Sequence, residues 1–90
     1  MVKVKICGIT CLEDAICAVE AGADALGFVF YKSSPRYIPL EKAAAVIRAL
    51  PSRVKKIGVF VNARLSTVER HAKMCGLDMI QLHGEESGRF

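Results

Sequence analysis

The chain's 90 residues are 52% apolar, enough for one small domain and too apolar for disorder. Its 13 Lys and Arg against 9 Asp and Glu leave a net charge of +4. That excess is spread along the chain, with no basic block interleaved with aromatics to grip a nucleic acid, and no apolar run approaches a membrane span.

The four cysteines, Cys7, Cys11, Cys17 and Cys75, show no CxxC spacing and follow no cationic, apolar signal peptide. They read as reduced thiols of a cytoplasmic protein. Cys11, Cys17, Cys75 and His71 also lack the spacing of a tetrahedral zinc site.

Strand and helix alternate along the chain. Val2 to Ile6 is a short strand. Thr10 and Glu13 have capping-box spacing and start the first helix near Cys11. Leu12, Ala15, Ile16 and Val19 form its apolar stripe, and Gly22 is its stop. Ala25 to Phe30 is the second strand, followed by a Ser- and Pro-containing loop from Tyr31 to Ile38. Pro39 suits the first turn of the second helix, whose buried face is Ala43, Val46, Ile47 and Leu50, with Pro51 and Ser52 ending it. A third strand runs from Val54 to Val61 and closes at Asn62. The third helix carries Leu65, Val68, Ala72 and Cys75 on one side and stops at Gly76. Leu77 to Leu82 is the fourth strand.

Two hexapeptides echo each other. Ala21-Gly22-Ala23-Asp24-Ala25-Leu26 and Cys75-Gly76-Leu77-Asp78-Met79-Ile80 each feed a helix stop into a strand. Repeated βα units imply parallel strands with right-handed crossovers. The pattern predicts an α/β fold, a single partial domain over residues 1–90 whose four strands and three helices amount to half of a (β/α)8 TIM barrel. A complete barrel needs roughly 200 residues or more. A small open α/β sheet has the same local pattern, and periodicity alone does not separate the two.

Strand parity assigns faces. If Cys7 points to the barrel interior, Lys3 and Lys5 share its side, and Val2, Val4 and Ile6 meet the helices. Strand 2 then sends Leu26, Phe28 and Phe30 outward and keeps Ala25, Gly27 and Val29 inside. For strand 3 the expectation is Ile57, Val59 and Val61 outward, with Gly58, Phe60 and Asn62 inside. Strand 4 places Met79, Gln81 and His83 inside. Gly27 and Gly58 would leave room for a long inward side chain such as Lys5. An ammonium there needs a partner, and beside Cys7 it would favour the thiolate.

The chemistry-bearing residues gather at strand ends. Lys5-Ile6-Cys7-Gly8-Ile9-Thr10 closes the first strand on a thiol, and Gln81-Leu82-His83-Gly84-Glu85 closes the fourth on polar groups. In a βα barrel such ends converge at the mouth. A strand-end cysteine is otherwise a small apolar packing residue, a loop arginine such as Arg36 a solvated cation, and a strand-end histidine a hydrogen-bonding wall.

These segments, with Gly27-Phe28-Val29-Phe30, Ser33-Ser34-Pro35-Arg36 and Gly58-Val59-Phe60-Val61-Asn62, occur in order at suitable spacing. Together they resemble the N-terminal half of the phosphoribosylanthranilate isomerases of tryptophan biosynthesis. The resemblance implies an Amadori rearrangement of a phosphosugar, N-(5-phosphoribosyl)anthranilate, without metal or organic cofactor. It implies Cys7 as the general base and Arg36 as the arginine on the anthranilate carboxylate. Gln81 and His83 would line the substrate pocket, and Lys5 is the candidate for tuning the thiol. The family's general acid is an aspartate at the end of a later strand, beyond Phe90, and its phosphate is held by loops after the last two strands. Asp14, within helix 1, and Asp24 and Asp78, at the N-terminal ends of their strands, do not substitute.

Two classes of function stay open on these grounds. One is an isomerase represented by an incomplete chain, inactive alone. The other is a non-catalytic half-barrel acting as a binding or assembly module, self-associating or meeting a complementing C-terminal half-barrel. Another phosphosugar βα barrel is a further alternative, disfavoured by the opening cysteine motif. No nucleic-acid or membrane partner is expected.

Overall fold

Residues 4–83 are described by a computed structural model. They contain β1 (Lys5–Cys7), α1 (Leu12–Glu20), β2 (Ala25–Val29), α2 (Leu40–Arg48), β3 (Lys55–Val61), α3 (Leu65–Cys75) and β4 (Met79–His83). Val2, Lys3, Gly84 and Glu85 lie outside the described residues. Because each helix returns the chain to the start of the next strand, all neighbouring strands are parallel, in the order β1-β2-β3-β4.

The two echoing hexapeptides do the same physical work. The αL glycine ends the helix in each case. Gly22, at φ +100, donates to Val19 O, and Ala23 donates to Ala18 O, both at 3.0 Å. These are the paired bonds of a Schellman stop. Gly76 ends α3 at φ +66. The aspartate that follows then clamps the neighbouring strand. Asp24 N–H donates to Val4 O at 2.8 Å, and its carboxylate accepts from Val4 N–H at 2.9 Å. Asp78 N–H donates to Lys56 O at 2.8 Å, and its carboxylate accepts from Lys56 N–H at 2.8 Å.

On the helix side, Leu26 and Phe28 are fully buried against Ala15 and Ala18 of α1 and Ala43, Val46 and Ile47 of α2. The alanines let the helices lie close on the strands. The other face is concave. Lys5 Nζ on β1 donates to Gln81 Oε1 on β4, although two strands separate them. On a flat sheet those strands would stand roughly 14 Å apart at about 4.8 Å per spacing, with parallel side chains that could not meet. The contact requires the curvature of a barrel wall, so the open flat sheet is not what this chain forms.

Three expectations are corrected. The first is the parity of β3. Register pairs Gly27 with Ile57, Val29 with Val59 and Phe28 with Gly58, so Ile57, Val59 and Val61 share the concave face with Cys7. Gly58 and Phe60 face the helices. Phe60 is fully buried, stacked on Phe30 at 5.3 Å between centroids and edge-on to His71 of α3. A Cβ at Gly58 would lie 2.6 Å from Leu77 Cδ1, so that glycine makes room for core packing and not for Lys5. A strand apolar on both faces carries no alternation to anchor its parity.

The second correction is the capping box. Cys11 is the N-cap of α1, with no side-chain cap bond. Thr10 therefore falls one position before the cap and Glu13 at the second helical residue, neither placed for reciprocal capping. The third is Leu65, which is 73% exposed, while His71 takes the packing position above the two phenylalanines.

Cys75, at the end of α3, is buried with its Sγ 4.0 Å from Leu40 O. Burial pushes its thiol pKa above the ordinary 9.0, and the Arg48 guanidinium opposes this in part. The folded state therefore holds this proton longer than the unfolded state. The corresponding stability is complete below about pH 9 and is lost as pH rises through the folded value. The urea midpoint is expected to fall above pH 9 more steeply in the parent chain than in a Cys75→Ala variant, in which this component is absent. Equal slopes in the two proteins would exclude it.

Candidate functional site

The C-terminal end of β1 and the loop after β2 bring Cys7 and Arg36 together, through the main chain of Cys7. Cys7 pairs with Gly27 in register, so its side chain lies on the concave face. Beyond it the chain turns through Gly8, at φ +90, a value that glycine alone adopts without cost. Gly8 N–H and Ile9 N–H both donate to Gly27 O, at 3.0 and 3.2 Å. This double bond to one carbonyl ties the turn to β2.

Arg36 arrives from the loop between β2 and α2. Its local fold follows from the serine and proline content: Ser34 N–H donates to Tyr31 O, Tyr37 N–H to Ser34 O, and Arg36 N–H to Ser34 Oγ at 3.1 Å. Tyr37 bridges to Val29, and Ile38 N–H donates to Val29 O while its side chain is fully buried. The loop is thus folded back along the end of β2. That path lays the Arg36 side chain over Gly8, where a Cβ would stand only 2.4 Å from its Cδ and 2.9 Å from its NH1. The guanidinium donates to Cys7 O at 3.4 Å, a long bond that leaves its other N–H groups for an anion.

Of the residues singled out in the sequence, Cys7 and Arg36 are therefore brought together, and Lys5 and Gln81 are brought together on the same concave face through their hydrogen bond. His83 ends β4 in register with Val61; its side chain lies outside the described residues. Asp24 and Asp78 sit at the other ends of their strands, engaged in the clamps described above.

A hollow of about 730 Å³ also opens at that opposite end, among Lys5, Asp24, Arg53, Lys55 and Asp78. It is not where Arg36 meets Cys7, and its carboxylates already accept strand N–H groups. We place the candidate site at the other end, where groups able to move a proton and grip a carboxylate adjoin. Among the described residues, no three His, Cys, Asp or Glu side chains converge to hold a metal ion, and no helix is long and apolar enough to cross a membrane.

Sequence reasoning missed the parts played by Gly8 and Gly27 beneath the two functional groups. The signal was present: a glycine inside a strand marks a bulge or a close approach.

A profile described as N-(5'phosphoribosyl)anthranilate (PRA) isomerase matches residues 4–90. The N-(5'-phosphoribosyl)anthranilate isomerase of Citrifermentans bemidjiense is 68% identical over the whole chain, which spans 44% of that protein. That of Pelobacter propionicus is 59% identical, with 43% of its length spanned. Among solved structures, phosphoribosyl anthranilate isomerase from Thermotoga maritima superposes with a TM-score of 0.92 at 53% identity, over 96% of this chain and 42% of that one. A phosphoribosyl anthranilate isomerase in complex with reduced 1-(o-carboxyphenylamino)-1-deoxyribulose 5-phosphate gives the same TM-score and identity, with 44% of its chain covered. The chain thus spans less than half the length of these relatives.

Accessibility orders the thiols. Cys7 and Cys17 are exposed, Cys11 is intermediate and Cys75 is buried. Iodoacetamide labelling of the folded chain, resolved by peptide mass spectrometry, is expected to modify Cys7 and Cys17 first and Cys75 last, because thiolate formation and access both control the rate. Early labelling of Cys75 would contradict the packing of α3 on α2.

Proposed function

We propose that this chain, which belongs to the N-(5'-phosphoribosyl)anthranilate isomerase family, supplies the base and the carboxylate grip for the Amadori rearrangement of N-(5-phosphoribosyl)anthranilate. The observation that carries this reading is the Arg36 guanidinium, bonded to the Cys7 backbone carbonyl and laid over Gly8 just past the end of β1.

In this scheme a general acid from a later part of the barrel protonates the furanose ring oxygen, and the C1′–O bond breaks to give the Schiff base. The Cys7 thiolate removes the proton from C2′, and the electron pair moves into the C1′–C2′ bond as the iminium is neutralised. The resulting enol tautomerises to the 1-amino-1-deoxyribulose phosphate. Arg36 holds the anthranilate carboxylate by planar, paired N–H bonds, a geometry lysine lacks. That grip keeps C2′ within reach of the thiol, and positioning of this kind is a large share of catalysis. Gln81 lines the concave wall and fixes the Lys5 ammonium, which adds a positive charge on the face where an anionic substrate would lie. The reaction belongs to tryptophan biosynthesis and to the cytoplasm.

The turnover experiment joins residues 1–90 to the remaining sequence of the Citrifermentans bemidjiense relative. The joined protein is expected to convert phosphoribosylanthranilate. Cys7→Ala should lower kcat by about 100-fold or more, the scale of losing a general base, while Arg36→Ala should mainly raise KM. A Cys7→Ala protein with near-normal turnover would overturn the assignment. The 90-residue polypeptide alone is expected to show no conversion.

A second reading, a half-barrel that acts by assembly, is favoured by the apolar side chains left open at both flanks: Val4, Leu12 and Ile16 beside β1, and Met79, Ile80 and Leu82 on β4. Open strand edges flanked by apolar surface associate. Sedimentation of the 90-residue chain over a range of concentrations is expected to show dimers or larger species, with β1 of one copy beside β4 of another. A monomer at every concentration would remove this reading.

A further inference from the structure

Glycine is a poor choice for the middle of a strand, because it adds backbone entropy and packs nothing. Gly8, Gly22 and Gly76 have a backbone reason, their positive φ. Gly27, at the centre of β2, has none: its φ lies outside the left-handed range, and an alanine would suit its backbone. What excludes a side chain there is one neighbour. A Cβ on Gly27 would stand 2.7 Å from Cys7 Sγ, 3.2 Å from Cys7 Cα and 3.3 Å from Cys7 Cβ. The three nearest atoms all belong to the cysteine.

We propose that Gly27 is a positioning residue of the site: its bare Cα is the seat that fixes the Cys7 side-chain rotamer, and so the place of the thiol relative to Arg36. The proposal rests on the reading of Cys7 as the base and deepens it.

A cysteine side chain at a strand end has three staggered rotamers to choose from. The one occupied here lays the sulfur across the neighbouring strand, and only a glycine in register leaves that ground open. The same residue also anchors the main chain beyond the thiol, since its carbonyl takes both Gly8 N–H and Ile9 N–H. Gly8 in turn is the bare floor under the Arg36 side chain, and the guanidinium bonds to the Cys7 carbonyl. Gly8, just past β1, and Gly27, in the middle of β2, therefore lie beneath the two functional groups. A base held in one rotamer meets its proton without a search, and misplacement by about 1 Å is enough to cost a large factor in rate.

The test uses the full 90-residue chain. Three-bond coupling constants of isotope-labelled cysteine report the χ1 of Cys7. One rotamer is expected in the parent, and a changed or averaged one in Gly27→Ala. Urea unfolding supplies the second measurement. Gly27→Ala should lower the midpoint, and adding Cys7→Ala should restore most of the loss, whereas Cys7→Ala alone should change it little. If Gly27→Ala does not fold, recovery of folding in the double variant supports the seat, and failure of both variants overturns it. An unchanged Cys7 rotamer in a folded Gly27→Ala, or the same loss of midpoint with and without the thiol, also overturns it. Neither measurement involves turnover. A negative result would leave the isomerase reading standing, and a fully active Cys7→Ala isomerase would remove that reading while leaving the seat intact.

Discussion

Register is the constraint on which this structure hangs, and two aspartates hold it. Asp24 exchanges two hydrogen bonds with Val4, one through its backbone N–H and one through its carboxylate. Asp78 does the same with Lys56. Bonds to a carboxylate are stronger than those between neutral groups, and each pair sits at the start of its strand, where pairing begins. With Val4 opposite Asp24, Lys5 must pair with Ala25 and Cys7 with Gly27. A slip of one residue would set Leu26 or Phe28 beside the thiol and turn apolar side chains onto the concave face. The clamp at the foot of the sheet thus decides a contact near its top, three residues farther along the strand.

The two ends of the sheet do different work as a result. At the strand starts, carboxylates are spent on backbone N–H groups, and their lone pairs serve register. At the strand ends, the backbone is satisfied by other backbone: Gly27 O takes two N–H groups, and Ile38 N–H closes the loop onto Val29 O. The side chains of Cys7 and Arg36 are left for chemistry. Barrel enzymes divide in the same way, with function at the carboxyl ends of the strands and stability at the other face.

Much of this was legible in the sequence, and the failures have physical causes. The glycine stops and the repeated Asp were readable because they act within a few residues of themselves. The curvature was not readable from periodicity. It appears only through Lys5 reaching Gln81 across two strands, a contact between residues far apart in the chain. The parity of β3 failed because Ile57 to Val61 is apolar on both faces, and its assignment depends on pairing with β2. The capping box failed by a single position, since Cys11 and not Thr10 starts α1. Arg36 was found through its motif, but its placement over Gly8 depends on how the loop folds along β2, which no local pattern encodes. His71, weighed in the sequence only as a metal ligand, lies edge-on to Phe30 and Phe60, a packing role that no local pattern encodes.

The flanks follow from the same register. Ile80 pairs with Gly58 and Leu82 with Phe60, so these side chains lie on the helix-covered face of the sheet. Phe60, one strand inward, is fully buried, while Ile80 is 39% and Leu82 41% exposed. The difference is position and not composition: β3 lies inside the sheet and β4 at its edge. Val4 stands in the same relation to the other edge, beyond the cover that α1 gives to β2. Among the described residues, each flank is thus open in two ways at once, in its backbone ladder and in its apolar side chains. A lone strand would satisfy the ladder and leave the side chains wet. A lone helix would do the reverse. A βα unit of the kind this chain repeats along its sheet, or the matching flank of another copy, would answer both.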